Sequence, residues 1–130
     1  MTAAVSLATY PDDTLPQTLI LALEGQLDYT NAEQLRERAV HLLADDHRSL
    51  ILDLSELTFC DSTGIRILLA LRTLITARGG SISVAGLGPR LLKIFQVTGL
   101  VQFFAVQPTR ADAVALLRAA PSADQSPSAG

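Results

Sequence analysis

The stretch Leu50-Ile-Leu-Asp-Leu-Ser-Glu-Leu-Thr-Phe-Cys-Asp-Ser-Thr-Gly-Ile-Arg-Ile-Leu-Leu-Ala-Leu71 decides the fold. Leu50 to Leu54 is an apolar run of strand length. Ser55 and Glu56 read as a polar break after it. Asp61-Ser62-Thr63-Gly64 then opens a long aliphatic helix that runs from about Ser62 to Ala77 or Arg78. That helix is apolar over most of its circumference, so it is expected to lie on a sheet with little exposed width. Oxygen-bearing side chains gather at the helix start. Local chemistry allows two readings of such a cluster: a helix cap, or a place where something is recognised or modified.

Upstream, Thr18 to Glu24 reads as a strong strand, and Val5 to Tyr10 as a weak edge strand ended by the turn Pro11-Asp12-Asp13. Gly25 to Tyr29 reads as a loop. Thr30 with Glu33 has the form of a capping box, with Asn31 and Gln34 competing one residue on. The helix it starts is expected to reach about Ala44, with Ala32, Leu35, Ala39, Leu42 and Leu43 on one face. Downstream, Gly79-Gly80 ends the long helix and Ser81 to Ala85 is a strand. Pro89 fits the first turn of a short helix carrying Leu91, Leu92, Ile94 and Phe95. Gly99 reads as its stop, with Leu100 placed against Phe95. Val101 to Val106 reads as a final strand. A last helix begins at Thr109 or Arg110, with Ala113, Leu116 and Leu117 on one face.

Strands thus alternate with helices after the first pair. The pattern implies an α/β fold: a mixed, largely parallel sheet of four to five strands with about four α-helices. Residues 1–118 are expected to form one domain. Residues 119–130 are expected to be a disordered tail, because Ser, Ala, Pro and Gly dominate from Pro121 onward. A parallel sheet collects strand ends and helix starts on one edge, where ligands and partners bind. Asp28, Asp53 and Asp61-Ser62 all fall at such points.

Composition removes several functions. Apolar residues make up 48% of the 130, charged residues 18%, and the formal charge is −3. The chain is globular, and with no Trp and 5% aromatics its core must be aliphatic. Its ten Lys and Arg residues are scattered, without the basic run that nucleic acid requires. One cysteine, Cys60, permits no intrachain disulfide and, with two distant His, no zinc site. It is expected to be a small buried apolar residue, and it suits a reducing cytoplasm. No apolar run approaches the ~18 residues of a membrane span, and no signal peptide is visible. His41 and His47 are expected to be solvated.

Four blocks, in order, resemble the STAS domain family: Gly25-Gln-Leu-Asp-Tyr-Thr-Asn-Ala-Glu-Gln-Leu35, Leu52-Asp-Leu-Ser55, Phe59-Cys-Asp-Ser-Thr-Gly-Ile65 and Phe95-Gln-Val-Thr-Gly-Leu100. The resemblance covers roughly Thr18 to Leu117. Its nearest branch is the stand-alone bacterial anti-sigma factor antagonists. It implies a switchable protein-binding module with no enzymatic activity and no cofactor of its own. In that family the serine after the aspartate of the third block, which is Ser62 here, is phosphorylated by a partner anti-sigma factor acting as a serine kinase with ATP and Mg²⁺, and the resemblance implies the same role for Ser62. The unphosphorylated form then binds the anti-sigma factor and frees the sigma factor. The phosphorylated form lets go, and a serine phosphatase resets it. Asp28, Asp61, Ser62, Thr63 and Gly64 form the implied partner-binding set. STAS domains also end some anion transporters; the lack of membrane segments here favours the cytoplasmic regulatory branch. Two positions depart from the common pattern: Asn31 stands where many relatives carry Thr, and Cys60 where an aliphatic residue or Met is common.

Physical chemistry fits this role. A phosphate adds about −1.5 to −2 charge and three strong acceptors. At a helix N-terminus the free N–H groups and the dipole favour an anion, so modification of Ser62 is expected to leave the fold intact and act on the partner. Gly64 is expected to leave the backbone open to a kinase or partner. Asp53 is read as a strand-end residue bonded to nearby N–H groups, with some influence on Ser62. Thr63 is read as mainly structural, and Asp28 as either a loop-ordering residue or a partner contact. A serine hydrolase would need a Gly-x-Ser-x-Gly elbow and a supporting His. A receiver-like domain using Asp53 would need an acidic pair after its first strand and a Lys after a late one; Asp12-Asp13 and Lys93 are misplaced. The main alternative is a STAS adaptor in a stress-signalling assembly, without a phosphorylation cycle.

Overall fold

The computed structural model describes residues 4–119. Five strands and four helices follow in the order β1 (Val5–Thr9), β2 (Thr18–Leu27), α1 (Ala32–Leu42), β3 (Ser49–Cys60), α2 (Ser62–Ala77), β4 (Ile82–Ala85), α3 (Pro89–Val97), β5 (Ala105–Gln107) and α4 (Arg110–Ala119). A 3₁₀ turn, Leu100–Gln102, separates α3 from β5. The strands lie side by side in chain order. β1 runs antiparallel to β2 and every other pair is parallel.

This order explains the layers. Each parallel crossover steps one strand in the same direction, and crossovers are right-handed, so α1, α2 and α3 must share one face. The larger core lies there, built from Leu19, Leu21 and Leu23 of β2, Leu50, Leu52 and Leu54 of β3, Leu68, Leu71 and Ile75 of α2, and Phe95 of α3. Burying one such side chain contributes about 1.5–3 kcal/mol. The opposite face needs its own cover, and α4 supplies it by packing Ala113 and Val114 on Ile20, Ile51 and Ala85. Both faces of β3 are therefore dry from Leu50 to Leu54.

Several expectations change. Strand β2 continues through Leu27, because Gly25 still pairs with Val5 and Leu27 with Cys60; the loop begins only at Asp28. Ser55 and Glu56 do not break β3, which runs twelve residues from Ser49 to Cys60. Its polar residues lie beyond Asp53, where pairing with β4 ends, so they face solvent without leaving the sheet. Two bulges absorb the change, since β3 takes three steps from Asp53 to Glu56 against two steps of β2 from Ala22 to Glu24, and another extra residue falls between Leu57 and Phe59. The expected strand over Val101–Val106 is a 3₁₀ turn followed by β5, because Leu100 and Phe104 both point into the core at one-turn spacing. At the end of α1, the C-cap Leu43 is buried while Leu42 is exposed. On α4, Val114 takes the core position expected for Leu116, which is exposed.

The long helix stops as expected. Gly80 N–H bonds to Ile75 C=O at 3.1 Å and Gly79 N–H to Thr76 C=O at 2.9 Å, with Gly79 at φ 78°. This is a Schellman motif, and its left-handed residue favours glycine. At Gly99 only the shorter of the two bonds forms, to Gln96 C=O, and Leu100 is buried in the same cluster as Phe95. Of the proposed tail, Ala119 ends α4, and the rest lies outside the described residues.

Candidate functional site

The C-terminal ends of β2 and β3 meet at Leu27 and Cys60, and the loop to α1 and the start of α2 leave from there. Asp61 is the N-cap of α2. Its Oδ1 accepts from Gly64 N–H at 2.8 Å and its carbonyl from Ile65 N–H at 3.0 Å. Its Oδ2 accepts from Tyr29 N–H at 2.9 Å, so one carboxylate closes the helix and clamps the neighbouring loop. The loop has its own order. Asp28 Oδ1 accepts from Thr30 N–H at 2.9 Å and from the Thr30 hydroxyl at 2.5 Å. Asn31 accepts from Asp28 N–H at 3.0 Å and donates to Gln26 C=O at 2.9 Å.

These bonds correct the expected capping box. Asn31, not Thr30, is the N-cap of α1, and its side chain makes no capping bond because it is spent on Asp28 and Gln26. The Thr30 hydroxyl is spent on Asp28. Asp28 therefore orders the loop, while remaining half-buried at the same edge as Asp61.

Ser62 is the first residue of α2 and is exposed. Among the described residues no hydrogen bond engages its hydroxyl. Thr63 is half-buried. Gly64 is buried, which overturns the expectation of an open backbone there. A Cβ at this position would lie 2.7 Å from Cys60 Sγ and 2.9 Å from Leu27 Cγ. Glycine here lets the helix start sit directly on the ends of β2 and β3. Cys60 is buried as expected, and burial, with Asp61 beside it, pushes its thiol up to about 12. The site is thus an unencumbered hydroxyl on a capped helix start, with the exposed aromatics Tyr29 on the adjoining loop and Phe59 near the end of β3. Nothing in the local residue pattern marks either ring as exposed. The exposure of Phe59 follows from the second bulge, which apolar alternation does not reveal.

Asp53 lies in mid-strand rather than at a strand end, and is buried on the α4 face. Its Oδ1 accepts from Ser55 N–H at 3.0 Å and from the Ser55 hydroxyl at 2.7 Å, spanning the first bulge. Its Oδ2 pairs with Arg110 Nε at 3.1 Å. No group of three or more metal-ligating side chains occurs among the described residues, and no helix there is long and apolar enough to cross a membrane.

Comparison with known proteins agrees with this architecture. The chain is 32% identical to the anti-sigma-B factor antagonist of Bacillus subtilis over 78 residues, 60% of this chain and 71% of that one. An anti-sigma factor antagonist from Mycobacterium paratuberculosis superposes with a TM-score of 0.77 at 26% identity, over 88% of this chain and 95% of that one. SpoIIAA, a Bacillus cell fate determinant, has the same fold. Its unphosphorylated form matches with a TM-score of 0.73 at 22% identity, over 90% of this chain and all of that one. Its phosphorylated form matches with a TM-score of 0.65 at 23% identity, over 88% of this chain and 99% of that one. The family model described as STAS domain matches residues 10–113, and the chain belongs to the STAS domain family.

Proposed function

We propose that the chain is an anti-sigma factor antagonist switched by phosphorylation of Ser62. The observation that carries the reading is the exposed Ser62 hydroxyl at the first position of α2, beside a carboxylate that already caps the helix. Similarity to proteins named as anti-sigma factor antagonists supports the partner class. That SpoIIAA is known in both unphosphorylated and phosphorylated forms supports the modification. In the switch, the γ-phosphoryl of ATP passes to Ser62 Oγ, ADP leaves, and the hydroxyl proton goes to a base on the kinase. The phosphate stands at a helix N-terminus, where the dipole favours an anion, so the fold persists. Its charge adds to that of Asp61, and a partner surface packed there loses affinity. A loss of about 3 kcal/mol weakens binding more than a hundredfold. A serine phosphatase restores the binding form. Asp28, Asp61 and Thr63 shape the surface around Ser62, and Gly64 contributes by letting α2 pack closely.

The test uses purified anti-sigma factors of the source organism with ATP and Mg²⁺. One of them binds the chain and adds one phosphate, detected by intact mass, and Ser62→Ala abolishes the gain while keeping the binding. Phosphorylation elsewhere with Ser62 untouched sinks the switch. Binding without any mass gain points to the unphosphorylated adaptor in a signalling assembly.

A further inference from the structure

Strand β3 has an open edge next to the Ser62 site. It pairs with β4 only from Leu50 to Asp53, while its far half pairs with β2 alone. After β4 the chain passes against Ser55 at Gly86 and turns away into α3. Between the open edge and α3 lies a groove of about 330 Å³, whose lining includes Leu57, Phe59, Cys60, Leu91 and Ile94 and one charged residue, Arg90. Strand edges present unpaired N–H and C=O groups that a further strand can satisfy. The groove floor is apolar, and its wall continues along α3 to Val97, which is 75% exposed. Arg90, Ile94 and Val97 share a face by helical spacing. No carboxylate among the described residues pairs with Arg90.

We propose that this groove receives a short extended segment of the anti-sigma factor, added beside Leu57–Cys60 as a parallel or antiparallel strand. The segment places apolar side chains against Leu57, Leu91 and Ile94, and an Asp or Glu against Arg90. The inference rests on the antagonist reading above and names the recognition element that Ser62 controls. The groove lining includes Cys60, two residues before Ser62, so a phosphate on Ser62 adds negative charge close to the groove and repels the acidic segment.

Hydrogen exchange of the full chain, with and without the purified anti-sigma factor, tests this. The outward amides of Leu57–Cys60 are expected to exchange about tenfold or more slowly in the complex. Phe59→Ser and Arg90→Glu alter exposed side chains, so each is expected to keep the urea midpoint and to weaken binding about tenfold. A Lys replacing the acidic residue of the partner restores binding to Arg90→Glu. Protection confined to the start of α2, with both variants binding as wild type, overturns the groove and leaves the antagonist reading intact. Failure of every anti-sigma factor to bind overturns both.

Discussion

Asp61 and Tyr29 are joined across 32 residues of sequence by a 2.9 Å hydrogen bond from the tyrosine N–H to Asp61 Oδ2, while the other oxygen of the same carboxylate caps α2. Asp61→Ala removes both bonds and is expected to cost about 1–3 kcal/mol. Asp61→Asn keeps an acceptor for Gly64 N–H but offers an NH₂ where the Tyr29 N–H needs an oxygen, so its cost is intermediate. Urea unfolding of the three proteins orders them. Equal midpoints for Asn and wild type would show that the loop clamp contributes nothing.

Gly64→Ala introduces a Cβ into a space closed by Cys60 Sγ and Leu27 Cγ. Overpacking of this kind costs about 1–3 kcal/mol. Cys60→Ala removes the nearer obstacle, so the double variant is expected to recover part of that loss relative to Cys60→Ala alone. Additive unfolding energies would rule out the proposed contact.

Much of this site was legible from residue types, because a helix start with Asp, Ser and Gly announces its chemistry locally. The order of elements was equally legible, since apolar runs at two periods alternate along the chain. What escaped was long-range. Ser55, Glu56 and Thr58 look like a loop, and only the pairing of β3 with β2 holds them in a strand. Thr30 and Glu33 satisfy a capping pattern, yet Asp28 competes for the Thr30 hydroxyl and Arg36 takes the Glu33 carboxylate. Gly64 looks permissive in sequence, and the packing of Leu27 from another strand makes it obligatory.

Asp53 and Arg110 fasten α4 to the sheet. Arg110 also stacks over the Tyr10 ring at 3.9 Å, so one guanidinium joins α4 to β3 and to the residue that follows β1. Arg110→Ala leaves the Asp53 carboxylate buried with only Ser55 as partner, and is expected to cost about 1–3 kcal/mol. Asp53→Asn keeps an acceptor for Ser55 and removes the ion pair. It is therefore expected to cost less in the Arg110→Ala background than in wild type, by a double-mutant cycle. Hydrogen exchange in α4 reports the same loosening, and unchanged exchange there would disconnect the ion pair from the helix.

Cys60 is expected to be inert in the folded chain. Burial raises its thiol from 9.0 to about 12, which lowers the thiolate fraction near neutral pH by about a thousandfold. Iodoacetamide labelling at pH 8 is then slow in buffer and fast in urea. The same shift has a consequence for stability. The unfolded chain ionises the thiol near its ordinary value while the folded chain holds the proton, so this contribution is complete below pH 9 and is lost as pH rises toward 12. Rapid labelling without denaturant would contradict the burial.

Ser62→Asp separates the switch from the fold. A carboxylate at the first position of α2 interacts favourably with the helix dipole by about 0.3–1 kcal/mol, and the neighbouring Asp61 charge offsets part of that. The urea midpoint is therefore expected to stay close to that of wild type. Affinity for the anti-sigma factor is expected to fall about a hundredfold, because the new charge must be desolvated or opposed at the partner surface. Ser62→Ala adds no charge and loses no hydrogen bond among the described residues, so it is expected to bind as wild type and to resist inactivation by ATP. Titration calorimetry of the three proteins, beside their unfolding curves, decides the point. A Ser62→Asp chain that binds at full strength would remove electrostatics from the mechanism. One that unfolds would show that the helix start cannot carry a second negative charge.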